Sequence, residues 1–204
     1  MKNIFKGKLL LVLAVVMASC TEDYFIESGP ASGVVNMTSY DYLSSKPDNF
    51  SELVKLIDHT DRKALVNQDN ITLFALQNKS ILNYLGSMDY GSVAEADVDD
   101  LDSLLQKYII VDAKMLRNSI TSGLGDDVVT ANAINMNVKI VSGEYKGVQN
   151  VGAKNIIYTD ADLYASLKAD KKSTTSAEVL VTSGDIQTTN GVVHVLDHEH
   201  KFGF

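Results

Sequence analysis

Apolar positions change period part-way along this chain. Behind Pro47-Asp48-Asn49, a helix opening, Phe50, Leu53, Val54 and Ile57 recur at helical spacing. Arg62 to Val66 reads as a short second helix, Ile71-Thr72-Leu73-Phe74-Ala75 as a strand, and Asn78 to Leu85 as the helix after it. Asp97-Val98-Asp99-Asp100-Leu101-Asp102 brings carboxylates into the first turn of a helix bearing Leu101, Leu104, Leu105 and Tyr108. They are favourable there because they face the positive end of the helix dipole. Beyond Gly123 the period falls to two. Met136, Val138 and Ile140 alternate with Asn137, Lys139 and Val141 until Ser142-Gly143 breaks the run as a turn. Ile156-Ile157-Tyr158, Glu178 to Thr182 and Gly191 to Leu196 read as further strands, with Lys168 to Ser176 a polar loop between them. Gly143 to Asn155 fits a hairpin or a loop. Helices first and strands later, with no internal repeat, predict an α+β domain rather than alternating βαβ units.

The N-terminus follows different rules. Lys2, Lys6 and Lys8 precede the ten-residue apolar run Leu9 to Ala18, which is short of the ~20 helical residues that span a bilayer. Met17-Ala18-Ser19-Cys20 closes it, with the only Cys of the chain where small residues invite cleavage. These residues resemble the lipobox of bacterial lipoproteins, in which the Cys becomes the lipidated first residue; an ordinary secretory signal with an incidental Cys is the alternative. Three acyl chains at ~0.8 kcal/mol per buried CH₂ make a stable anchor, so Cys20 is read as a lipid attachment point. Thr21-Glu22-Asp23 is similar to the surface-export tag of some Gram-negative lipoproteins, or is simply a solvated linker. Gly29-Pro30-Ala31-Ser32-Gly33 lacks either periodicity and reads as a tether. The expected organisation is a signal peptide over 1–19, a lipidated tether and lead-in over 20–47, and one domain over 48–204.

Composition narrows the function classes. At 45% hydrophobic and 22% charged, the 204 residues are globular in character. Net charge is −8, and without the three leader lysines 15 basic side chains face 26 acidic ones, −11. That balance repels phosphate backbones, so no nucleic-acid partner is expected. A single Cys excludes disulfide frameworks, Cys-based zinc sites and dithiol redox chemistry.

Two segments carry a family resemblance. Ile71-Thr72-Leu73-Phe74-Ala75 and Asp185-Ile186-Gln187-Thr188-Thr189-Asn190-Gly191-Val192-Val193-His194-Val195-Leu196-Asp197 resemble, in order, the two signature segments of the fasciclin domain. The first signature usually continues Pro-Thr-Asn, where this chain has Leu76-Gln77-Asn78; the second is nearly complete. Between them the family carries leucines followed by Tyr-His, and this chain has Leu104-Leu105-Gln106-Lys107-Tyr108-Ile109, without the His. The resemblance runs from about Asp48 to the C-terminus. It implies a wedge of β-strands flanked by helices, α+β in class, with roles in adhesion and extracellular binding and generally without catalysis. The family's adhesive positions, around Tyr-His and Asp-Ile, carry over to Tyr108, Asp185 and Ile186. Asn190-Gly191 is expected to supply the positive φ of a tight turn, with Val192, Val193 and Val195 as strand formers.

Other constellations along the chain could carry chemistry. His194, His198 and His200 would share one face of an unbroken strand, near Asp197 and Glu199, and could then hold a metal. His194 belongs to the signature, where a buried structural role is expected. Asp197 is expected to end the strand, leaving His198 and His200 on a frayed tail; no metal site is assigned. Glu95 to Asp102 lacks the Gly and Glu of an EF-hand and reads as a helix start. In Gly123-Leu124-Gly125 the following Asp126 and Asp127 would repel a pyrophosphate, which leaves a loop. No Gly-x-Ser-x-Gly elbow is present, and neither an enzyme nor a cofactor is expected. The expected function is a lipid-anchored binding or adhesion module of the bacterial outer membrane, facing outward, with the membrane and an extracellular protein or glycan as partners. The alternative is a glycan-binding accessory lipoprotein of a polysaccharide-uptake system; a structural envelope component is a third reading.

Overall fold

A computed structural model describes residues 33–121, 123–142 and 154–203. Cys20, the leader and most of the tether lie outside the described residues, as does most of the Gly143 to Asn155 stretch.

The centre of the fold is a parallel pair made from the two signature segments. In β2 (Ile71–Ala75) and β8 (Gly191–Leu196) every residue is buried, so neither strand alternates. They pair in register from Ile71 opposite Gly191 to Ala75 opposite Val195. β3 (Ile109–Ile110) extends the sheet antiparallel on the β2 side. On the β8 side follow β7 (Glu178–Gln187), β6 (Lys154–Asp160), β5 (Asn135–Ser142) and β4 (Asp126–Val129), all antiparallel. A bridge from Ile110 to Thr130, just past β4, brings the two ends of the path together. The result is the α+β wedge that the signature segments imply.

Helices cover the central pair. In α2 (Pro47–His59) Pro47 occupies the first turn, and Phe50, Leu53, Leu56 and Ile57 form the buried stripe. α3 (Lys63–Val66) and α4 (Asn78–Ser87) follow as expected from the spacing. α5 (Val98–Gln106) begins at Asp97, whose carboxylate accepts the backbone N–H groups of Asp99 and Asp100 at 3.0 Å. The acidic run is a cap.

Several elements went unforeseen, the two-residue β3 among them. The lead-in carries β1 (Gly33–Val34), paired parallel with β7, and α1 (Ser39–Ser44), whose Leu43 is buried. Both are too short for periodicity to register. β4 is an edge strand with no buried residue. α6 (Ala161–Ala169) has no fully buried side chain, only half-buried ones such as Leu163 and Leu167, so its apolar stripe is weak, and Lys168 belongs to its last turn rather than to a loop.

Candidate functional site

β8 and the end of β7 form a bulged hairpin that organises the neighbouring loops. Asn190 ties it to the N-terminal helices: its side-chain amide donates to the carbonyls of Val66 and Gln68, both at 3.0 Å, while its Oδ1 accepts the Ser39 N–H at 2.8 Å. Neither Asn190 nor Gly191 has positive φ, contrary to expectation. Gly191 is required for another reason: a Cβ there would lie 2.5 Å from the Ile71 carbonyl oxygen. The glycine lets the two central backbones approach.

Positive φ falls instead on Asp185, at 61°. Between Ser183 and Ile186 the pairing with β8 slips, and Asp185 sits in that bulge. Its Oδ1 accepts the Arg117 backbone N–H at 2.7 Å, and its Oδ2 lies 3.8 Å from Arg117 Nε. Its own N–H donates to His194 Nδ1 at 3.2 Å, while His194 Nε2–H donates to the Met115 carbonyl at 2.7 Å. These two bonds specify the neutral tautomer, and burial lowers the affinity of the ring for a second proton. Thr72 Oγ1 completes the arrangement, donating to the Ala113 carbonyl and accepting the Met115 N–H. Asp185, His194 and Thr72 thus fasten the 113–117 loop onto three strands.

Tyr108 and Ile186 are corrected as surface groups. Tyr108 is fully buried, and Ile186 is 8% exposed; neither presents a patch to a partner. Tyr108 belongs to an aromatic stack: its ring lies 6.3 Å from Tyr158, which stacks on Phe74 at 3.9 Å, and Phe74 lies 5.3 Å from His194. The candidate positions are therefore linked through the core rather than across a face. Asp185 alone among them keeps partial exposure.

The three histidines diverge. His194 is interior, His198 is exposed beside Asp197 and Glu199, and His200 packs against Tyr108. β8 ends at Leu196, so the shared face is never built. Among the described residues no group of three or more His, Cys, Asp or Glu side chains is arranged to hold a metal. The tail is docked rather than frayed: Phe202 is buried and meets Tyr84 edge-on at 5.1 Å.

The fasciclin family model matches residues 48–198. The chain belongs to the fasciclin domain family. Such domains are generally adhesion and binding modules. A solved structure, the FAS1 domain pair from the insect cell adhesion molecule fasciclin I, is similar at 14% identity and a TM-score of 0.44, over 80% of this chain and 45% of that one. The chain thus spans less than half of that pair. No curated protein matches the chain.

One concavity of this fasciclin domain lies away from these positions. A groove of about 320 Å³ runs between α6 and the outer face of β4, β5 and β6, with Tyr164 and Lys168 above and Asp127, Asn137 and Thr159 below. Sequence reasoning missed it because α6 itself was missed; the four-residue spacing of Tyr164 and Lys168 is the one signal that places both on a single helical face.

Proposed function

We propose that this fasciclin domain is a lipid-anchored binding and adhesion module of a bacterial cell envelope, tethered to the outer membrane through Cys20 and facing outward. The observation that carries the reading is the pairing of a lipobox-like Met17-Ala18-Ser19-Cys20 with a domain family whose general role is extracellular binding. Thr21-Glu22-Asp23 supports outward orientation, and the acidic balance of the chain supports a protein or glycan partner over nucleic acid.

A glycan-binding accessory role in polysaccharide uptake is the second reading. The groove under α6 favours it, because it combines an aromatic ring with hydroxyl-matching polar groups.

Adhesion and anchoring are tested together in cells that carry the full chain. Cys20→Ser should move the protein from the detergent phase to the aqueous phase on partition. Cells lacking the protein should adhere less to immobilised matrix proteins or to one another. Detergent partition that survives Cys20→Ser removes the anchor, and unchanged adherence removes the adhesive role.

A further inference from the structure

From the geometry of the groove beneath α6 we infer a binding site for a neutral hexose unit, such as one ring of a glycan; this rests on the extracellular-binding reading above. The floor is a cross-strand row. Asp127 stands opposite Asn137 on β5, Asn137 opposite Thr159 on β6, and Thr159 opposite Glu178 on β7. Cross-strand partners share a face of the sheet, and this is the face opposite Tyr158, which stacks into the core. Polar side chains therefore line a surface that a helix roofs. The roof helix has no fully buried side chain, only half-buried ones such as Leu163, Tyr164 and Leu167, and a groove of about 320 Å³ remains beside it.

The row is held in order. Asn137 Nδ2 donates to Asp127 Oδ1 at 2.8 Å and to the Leu124 carbonyl at 3.2 Å. Gly125, at φ 78°, lets the loop lie against β5, because a Cβ there would meet the Val138 carbonyl oxygen at 2.6 Å. Leu124 is left 93% exposed at the rim. Thr159 is 3% exposed, and its Oγ1 has no hydrogen-bond partner among the described residues. A buried hydroxyl without a partner is costly.

The chemistry of the lining selects the ligand. Tyr164 offers an aromatic surface, with the Lys139 ammonium 5.4 Å from its ring centroid. Lys139 is paired with Glu178, which lies just outside the lining, and the two charges left in the lining, Lys168 and Asp127, are opposite in sign, so the groove with its Glu178 neighbour carries no net charge. That disfavours phosphates and carboxylates. Carboxylate, amide and ammonium groups around an aromatic ring supply acceptors and donors in alternation, which suits vicinal hydroxyls on a ring whose C–H face lies against Tyr164 and Leu124. The volume, about 320 Å³, is at the lower end of the roughly 300–1,000 Å³ of small-molecule sites and suits one or two sugar rings.

Saturation-transfer NMR on the full chain, with millimolar glucose, galactose, mannose and glucuronate as probes, tests the site. Saturation should reach the ring protons of at least one neutral hexose. Tyr164→Ala should weaken binding at least tenfold while the circular dichroism spectrum is unchanged, and Tyr164→Phe should restore most of it. Transfer to glucuronate alone would make the groove an anion site, and no transfer, or transfer indifferent to Tyr164→Ala, would place any sugar elsewhere; each overturns the inference. Cell adherence measured in parallel separates the two readings. Adherence without hexose binding defeats the groove alone, and hexose binding without adherence defeats the adhesive role alone.

Discussion

The Tyr108 hydroxyl donates to Nε2 of His200 at 2.8 Å, across 92 positions of sequence, and accepts the Gly203 N–H at 2.9 Å. The histidine missing beside Tyr108 in the chain is thus met by another one arriving from the C-terminal segment. A buried hydroxyl acquires both a donor and an acceptor role, and residues 200–203 are fastened to the core.

Stability should fall on acidification because of this contact. Burial pushes the His200 imidazole down from its ordinary 6.5 to about 4, and burial lowers His194 in the same sense. Between pH 6.5 and 4 the unfolded chain binds more protons than the folded one, so the stabilisation present at neutral pH is lost as pH falls through that window. For His200 the loss is about 3 kcal/mol at most, since undocking of the tail limits it. Urea denaturation at pH 7 and pH 4.5 reads it, and His200→Gln should flatten the difference by the share that His200 contributes. A profile indifferent to that substitution would contradict the docked tail.

Asp185 should tolerate Asn and reject Ala. At φ 61° an Asn is comfortable and keeps an oxygen for the Arg117 N–H, whereas Ala is strained and leaves that donor bare. Asp185→Ala should cost about 2–3 kcal/mol and Asp185→Asn under about 1 kcal/mol, both read from denaturant midpoints.

Two glycines should respond oppositely to alanine. Gly191→Ala forces a Cβ to 2.5 Å from a central backbone oxygen and should cost about 3 kcal/mol or more, or prevent folding. Gly86, inside α4 with open space where a Cβ would stand, should gain about 0.5–1 kcal/mol from the same change. Melting temperatures of the two variants decide the point.

Val193 lies fully buried opposite Leu73. Val193→Asp should cost several kcal/mol by placing an unpaired carboxylate in the core. An unchanged melting temperature would show that β8 is not central.

How far the chain announces its structure depends on how much each element buries. α2 and α5 were legible because Phe50, Leu53, Ile57, Leu101 and Leu105 repeat at helical spacing and end up buried. β2 and β8 were legible as short apolar runs carrying a family signature. α6 was not, because a helix with no fully buried side chain leaves only a weak stripe to read. Tyr108 misled for the complementary reason: a motif position names a residue but not the side of the sheet or the tail that covers it.

The sequence alone determined the class of the domain, its helix-then-strand order, the existence of the two signature strands and the family, because those rest on local periodicity and on adjacent residues. Only the tertiary structure decided that Gly191 serves a close approach rather than a turn, that Asp185 takes the positive φ, that His194 and His200 part company, and that a polar row lies beneath α6. Each of these depends on contacts between residues tens of positions apart, and burial and hydrogen bonding across such separations are set by the packed fold rather than by neighbours in the chain.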